Sequence, residues 1–254
     1  MSQLLNYKIE GKGHTIVLLH GLFGNLDNLG LLSRELRQNY KIVSLDLRNH
    51  GTSFQSSEHS YQLMAQDVFI TLEHLELKRY TLIGHSMGGK VAMKLAELVQ
   101  HKVDKLIVLD MAPVSYPERR HDNVFNGLKA VIKQKPTSRQ QALQVLAQHI
   151  ELEGVRQFLG KSLYNSGQYF QWRFNVSSLW DNYWEILGWT QIEKISTPTL
   201  FIKGGNSNYI STEYQADIQG QFSNAKAHII ANTGHWLHAE KPQEVLRAIN
   251  KFIH

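Results

Sequence analysis

Cysteine is absent from all 254 residues. Its absence excludes disulfides, thiolate nucleophiles and cysteine-type zinc sites together. No run is apolar over the length a membrane span requires. The opening MSQLLNYKIEGKG also lacks a basic stretch followed by an apolar one,. A cytoplasmic protein with no membrane span is therefore expected. Neither sign of charge dominates, with 27 Lys and Arg against 22 Asp and Glu for a net +5. That excess invites anionic partners, but it is scattered and accompanies no nucleic-acid motif, so nucleic acid is not an expected partner. Internal repeats and low-complexity tracts are missing too. What is there is a globular composition, 42% hydrophobic and 19% charged, long enough to bury a large core.

Short apolar runs punctuate the chain: HTIVLLHG (14–21), YKIVSLDL (40–47), YTLIGHS (80–86), DKLIVLDMA (104–112), TPTLFIKGG (197–205) and KAHIIANTG (226–234). Each reads as a buried strand ending in a turn. Between them lie amphipathic stretches. Over 61–77 the residues Tyr61, Met64, Ala65, Val68, Phe69, Leu72 and Leu75 share one helical face, and Pro242 opens a last helix striped by Val245, Leu246, Ile249, Phe252 and Ile253,. The alternation predicts an α/β fold with a mostly parallel sheet covered by helices on both faces. It breaks between about Pro113 and Trp189, where the chain reads as helical and aromatic with no convincing strand. An all-helical cap spanning 113–189, inserted into a core of 1–112 and 190–254, is the expected organisation. Such a cap would sit over the carboxyl ends of the strands, where ligands bind in open α/β sheets.

The chemistry concentrates in Gly84-His85-Ser86-Met87-Gly88, with a strand leading in and a helical run leading out. In that context G-x-S-x-G is a sharp turn that exposes a nucleophilic serine, and its glycines permit close approach of the backbone. Gly84, Gly89 and Lys90 also nearly spell a phosphate loop, but Val91 stands where a hydroxyl should hold magnesium. A tight turn with no chemistry is the third reading. A serine nucleophile needs a base. Among the thirteen histidines, His235 is best placed, between the last strand and the last helix. His238 could pair with it on a metal, yet no third ligand is evident, so no metal or cofactor is expected. His20 reads as a turn-packing histidine. The backbone N–H groups of Leu22 and Met87 would supply the two donors an oxyanion needs.

These pieces together resemble the α/β-hydrolase superfamily over nearly the whole chain: HGLFG, DLRNHGTS, GHSMGG and GHWLHAEKP. LFGNLDNLG, RRHD at 119–122, WRFNV at 172–176 and GGNS at 204–207 are most similar to the small bacterial YbfF-type esterases. The resemblance implies the α/β-hydrolase fold and an ester or thioester hydrolase using Ser86, His235 and an acid, in chain order Ser, Asp, His. The acid usually follows the strand after the cap. Here that strand is TLFIK, and its loop GGNSN holds Ser207 instead. In the superfamily's sheet order the strand IVLD neighbours the serine strand, roughly 5 Å away, so Asp110 is the expected acid, as the YbfF-type pattern also implies. Asp46 is expected to organise the DLRNHG turn, Asp217 and Glu240 to be surface charges, and Ser207 to be dispensable.

The expected partner is a small-molecule ester or acyl thioester. Arg119, Arg120, Lys129, Lys133, Lys135 and Arg139 stand against the single acid Asp122 over 119–139. They form either a solvated helix face or a landing strip for an anionic group such as the phosphates of an acyl-CoA. Phe23 and Trp236 could wall an acyl pocket. A carbon–carbon hydrolase or lyase on the same scaffold, and a non-catalytic binding module, are the competing readings. The oligomeric state stays open.

Overall fold

A computed structural model describes residues 3–254. Nine strands form among the described residues: β1 (Tyr7–Glu10), β2 (Thr15–Leu19), β3 (Lys41–Leu45), β4 (Tyr80–His85), β5 (Val103–Leu109), β6 (Leu163–Asn165), β7 (Phe170–Trp172), β8 (Thr199–Gly204) and β9 (Ala225–Ile230). Seven of them make one sheet in the order β1-β3-β2-β4-β5-β8-β9. All its pairings are parallel except β1 with β3. Strands β2 and β4 are buried along their whole length, which is why they read as unbroken apolar runs rather than alternating ones.

The helices flanking the sheet are α1 (Gly30–Leu36), α2 (Tyr61–His74), α3 (Met87–Leu98), α9 (Gln215–Gln221), α10 (Leu237–Glu240) and α11 (Pro242–Ile253), while α4 (Asp122–Gln134), α5 (Arg139–Ala147), α6 (Glu153–Gly160), α7 (Val176–Asp181) and α8 (Tyr183–Leu187) lie between β5 and β8. Ser60 caps α2 by accepting the Leu63 N–H, and Pro242 occupies the first turn of α11,. Two apolar clusters form the core, one containing the faces of α2 and α3, the other those of α1 and α11. Leu82, Leu106 and Val108 point to the first, while Ile83, Ile107 and Leu109 point to the second. The alternation of strand side chains thus fills both layers.

Three features depart from the sequence expectation. Strand β1 carries exposed Tyr7 and Ile9 on an edge, too short to produce a periodic signal. Strand β9 is the opposite edge, and its Ile229 is 61% exposed rather than buried. The segment expected to be all-helical holds the antiparallel pair β6–β7. Three-residue strands are too brief for a period-two pattern. Their turn rests on Gly167 at φ +97° and on the Ser166 N–H donating to the Tyr169 carbonyl at 3.0 Å. The Trp172 indole N–H anchors the pair by donating to the Leu128 carbonyl at the end of its buried ring.

Candidate active site

The ends of β4 and β5 are in register, with His85 opposite Leu109. The residue after each, Ser86 and Asp110, therefore emerges at one sheet edge. Both take positive φ, 53° and 52°, a region that non-glycine residues adopt at a cost and that clusters at functional sites. The Ser86 turn is possible because its neighbours lack side chains. A Cβ on Gly84 would lie 2.2 Å from the Gly88 carbonyl oxygen, and one on Gly88 would lie 2.3 Å from that of Leu19.

Across this edge runs a line of hydrogen bonds. Ser86 Oγ lies 2.8 Å from His235 Nε2, and His235 Nδ1 lies 2.7 Å from Asp110 Oδ2. The Asp110 side chain is wholly buried. A carboxylate there must be satisfied by donors. Besides His235, it accepts from the Gly204 N–H at 2.9 Å and from the Ser207 hydroxyl. The loop that lacks an acid thus supplies a donor to the acid one strand away. Ser207, expected to be dispensable, touches the carboxylate. The signal was its position in GGNSN: a hydroxyl where a carboxylate usually sits faces whatever replaces that carboxylate.

The histidine is fixed from several sides. Its ring stacks on Tyr209, centroids 3.9 Å apart at 24°. His85 Nε2 donates to the His235 carbonyl at 2.9 Å. Glu240 accepts the Gly234 N–H at 2.9 Å, so it braces the histidine loop rather than serving only as a surface charge. Burial holds His85 and His238 below the usual histidine pKa, His238 at about 3, and their rings pack with centroids 4.3 Å apart.

The loop carrying Leu22 is held by imidazoles. His20 donates from Nδ1 to the Gly21 carbonyl and accepts the Leu47 N–H at Nε2. His50 Nε2 accepts the Phe23 N–H. Asp46 accepts from the N–H groups of Leu26 and Thr52, so it ties this loop to the DLRNHG turn. Leu22 and Met87 flank Ser86 on the cavity wall. The Met87 N–H is the first of α3 and has no partner within the helix,. Among the described residues, the Leu22 N–H has no acceptor either.

The cavity above Ser86 encloses about 560 Å³. Phe23, Trp236 and Arg120 line it. Phe23 is buried against Phe125 and Phe174. Arg120 donates to Asn208 Oδ1 at 2.8 Å and lies over the Tyr209 ring. Arg119 is not among the lining residues: its guanidinium pairs with Asp122 at 2.7 Å and packs over Trp180 and Tyr183. Lys129 lies over Trp180, and Arg139 donates to the Gly160 carbonyl. Most of the basic cluster is therefore spent on packing. Consecutive arginines point to different sides of the chain, and sequence could not show which one meets the cavity.

Residues 14–242 match the family described as "alpha/beta hydrolase fold". The chain belongs to that family. Among its relatives, "Esterase YbfF" of Escherichia coli is 49% identical over 238 residues, covering 94% of this chain and 92% of the relative. The "sn-1-specific diacylglycerol lipase ABHD11" of Mus musculus is 37% identical over 246 residues, with 94% and 80% covered. A solved structure, "Marine microorganism esterase", superposes with a TM-score of 0.94 at 32% identity over 99% of this chain and 100% of its own. Within the family, the chain is thus similar to YbfF-type esterases. No helix among the described residues is long and apolar enough to cross a membrane.

Proposed function

We propose that the protein is a serine hydrolase of carboxylic esters or thioesters, working through an acyl-enzyme. The observation that carries this is the continuous line from Ser86 through His235 to buried Asp110, opening on an apolar cavity. His235 Nε2 takes the Ser86 proton as Oγ attacks the carbonyl carbon. Asp110 holds the Nδ1–H tautomer and stabilises the imidazolium. The N–H groups of Leu22 and Met87 bind the oxyanion. His235 then gives its proton to the departing alkoxide or thiolate, leaving Ser86 acylated. Water, deprotonated by the same nitrogen, releases the acid and restores Ser86. Residues 113–189 act as a cap over the core of 1–112 and 190–254, closing this site from above. The names of the relatives, esterase and lipase, support the ester class. Arg120 on the cavity wall favours substrates with an anionic group, acyl-CoA among them. We assign the enzyme to the cytoplasm, which immunoblotting of fractionated cells tests.

Labelling with a fluorophosphonate tests the nucleophile. The wild-type chain should take up one label per molecule at Ser86, and Ser86→Ala should take none and lose on the order of 10⁶ in kcat. Retention of more than a few per cent of activity by a clean Ser86→Ala preparation refutes the assignment.

A further inference from the structure

Lys90 lies one turn beyond Ser86 in α3 and is wholly buried. Its Nζ donates to the carbonyls of Leu187 at 3.2 Å and Gly188 at 2.9 Å. The rings of Tyr116, Tyr61 and Trp189 surround it at 4.8, 5.2 and 5.8 Å. Among the described residues no carboxylate pairs with it; the nearby Lys94, which shares the Trp189 ring, pairs with Glu97 instead. Desolvation alone pushes the Lys90 ammonium down to about 7. An ammonium buried without a counter-charge costs stability, and an apolar side chain of similar length would pack here at lower cost. A charge kept at that cost needs a use.

Its place in the chain suggests one. Leu187 and Gly188 lie where the chain between β5 and β8 returns to the sheet. The outgoing and returning strands of chain are tied at this point. Tyr116 N–H donates to the Leu187 carbonyl at 2.9 Å, Trp189 N–H to Ser115 Oγ at 2.8 Å, and Tyr61 OH to the Ile186 carbonyl at 2.6 Å. Tyr61, Tyr116, Ile186 and Leu187 form one wall of the cavity, whereas Lys90 stands behind that wall and does not line it.

We propose that Lys90 is a positioning residue for the substrate pocket: its ammonium pins the Leu187–Gly188 return to the helix that begins at Ser86, and so sets the depth available to the aliphatic arm of the ester. The proposal rests on the ester-hydrolase reading above and adds to it the element that fixes chain length. Charge-assisted bonds to carbonyls are stronger than neutral ones, so the wall is held most firmly with Lys90 protonated.

The test measures kcat and KM for p-nitrophenyl esters of increasing acyl length, and for acetate esters of increasing alcohol length. Lys90→Met is compared with wild type, with melting temperatures taken at pH 6. An unfolded lysine titrates near 10.4, so the full burial cost is present below about pH 7. It is relieved as pH rises from there towards 10,. Lys90→Met should therefore melt at or above the wild-type temperature at pH 6. In one of the two series its ratio of kcat/KM for long over short esters should shift at least tenfold. Unchanged ratios in both series, or a uniform loss that follows a lower melting temperature, would overturn the proposal. Should the variant not fold, the wild-type ratio decides. It should drift between pH 6 and 8.5 with a midpoint near 7, because ionisations common to both substrates cancel in the ratio, and a flat ratio would overturn the proposal. Failure of the wild type to hydrolyse any ester would instead refute the hydrolase reading.

Discussion

Three donors converge on the Asp110 side chain, which has no exposed surface. Asp110 accepts from His235, from the Gly204 N–H and from Ser207. Amidation to Asn would leave one oxygen and place an amide where His235 Nδ1–H must donate. The imidazole would then favour the wrong tautomer. We expect Asp110→Asn to lower kcat roughly 10⁴-fold, the scale seen when a triad acid is amidated. Ser207→Ala removes one hydrogen bond to a charged group, with a cost of about 1.5–3 kcal/mol. If that falls on the imidazolium-forming step, kcat should drop roughly ten- to a hundredfold with KM little changed. Steady-state kinetics on one neutral ester checks both. A fully active Asp110→Asn enzyme would mean that another group orients His235, and an unimpaired Ser207→Ala enzyme would return Ser207 to the bystander expected from sequence. Adding Ser207→Asp to Asp110→Asn puts a carboxylate back on the neighbouring loop and should recover part of the rate.

At the scale of elements, the connection from β5 to α4 settles what the basic cluster can do. Arg119 is held by Asp122 and three aromatic rings, and Arg120 faces the cavity beside Tyr209. Arg120→Gln should raise KM for an acyl-CoA several-fold more than for a neutral ester. Added salt should reproduce that loss in wild type, because exposed charges are screened over about 8–10 Å. Equal effects on both substrates would remove Arg120 from anion recognition. Arg119→Gln should act on thermal stability and leave that substrate ratio alone. The legibility of each element follows from its burial. Strands buried on both faces, such as β2 and β4, are plain in the sequence because their apolar residues run consecutively, as in Ile16–Leu19 and Leu82–Ile83, rather than alternating with polar ones. The edge strand β1 and the β6–β7 pair are not, since short or half-exposed backbone pairing leaves little trace in side-chain pattern; β9 is legible as a strand, and only its edge exposure, with Ile229 facing out, is not. The site follows the same rule. Ser86, Asp110 and His235 are legible because each ends a recognisable strand or precedes a helix. Tyr209 and Ser207 meet their partners only through loop geometry: the N–H groups of Gly205 and Asn206 bond the carbonyls of Ile230 and Thr233, and that stitching is what brings GGNSN against the histidine loop.

Over the whole molecule the histidines divide by environment, and the division predicts how the fold responds to acid. His20, His50, His59, His85 and His238 are buried and His121 is half-buried, and desolvation is the leading cause holding each below the ordinary histidine range, with His59 and His238 at about 3 and His121 at about 4. In the unfolded chain each would titrate near 6.5. Above that value both states are neutral and these groups contribute no pH dependence. As pH falls below about 6.5 the unfolded chain takes up protons that the folded chain refuses, so stability is lost progressively down towards the folded values. Each such histidine adds up to one proton to the slope of unfolding free energy against pH. Urea titrations at successive pH values between 7 and 4.5 should therefore show a steep decline, with several protons bound on unfolding, well before carboxylates titrate. His59 offers a test away from the cavity, because among the described residues its buried Nε2 has no partner while Nδ1 meets Asn49. His59→Gln keeps a polar group of similar reach but cannot be protonated, so it should reduce the slope by about one proton while leaving ester hydrolysis at neutral pH in place. A slope near zero between pH 6.5 and 5 in the wild type would mean that these imidazoles accept protons in the folded state, and that the buried layer beneath the site is open to water.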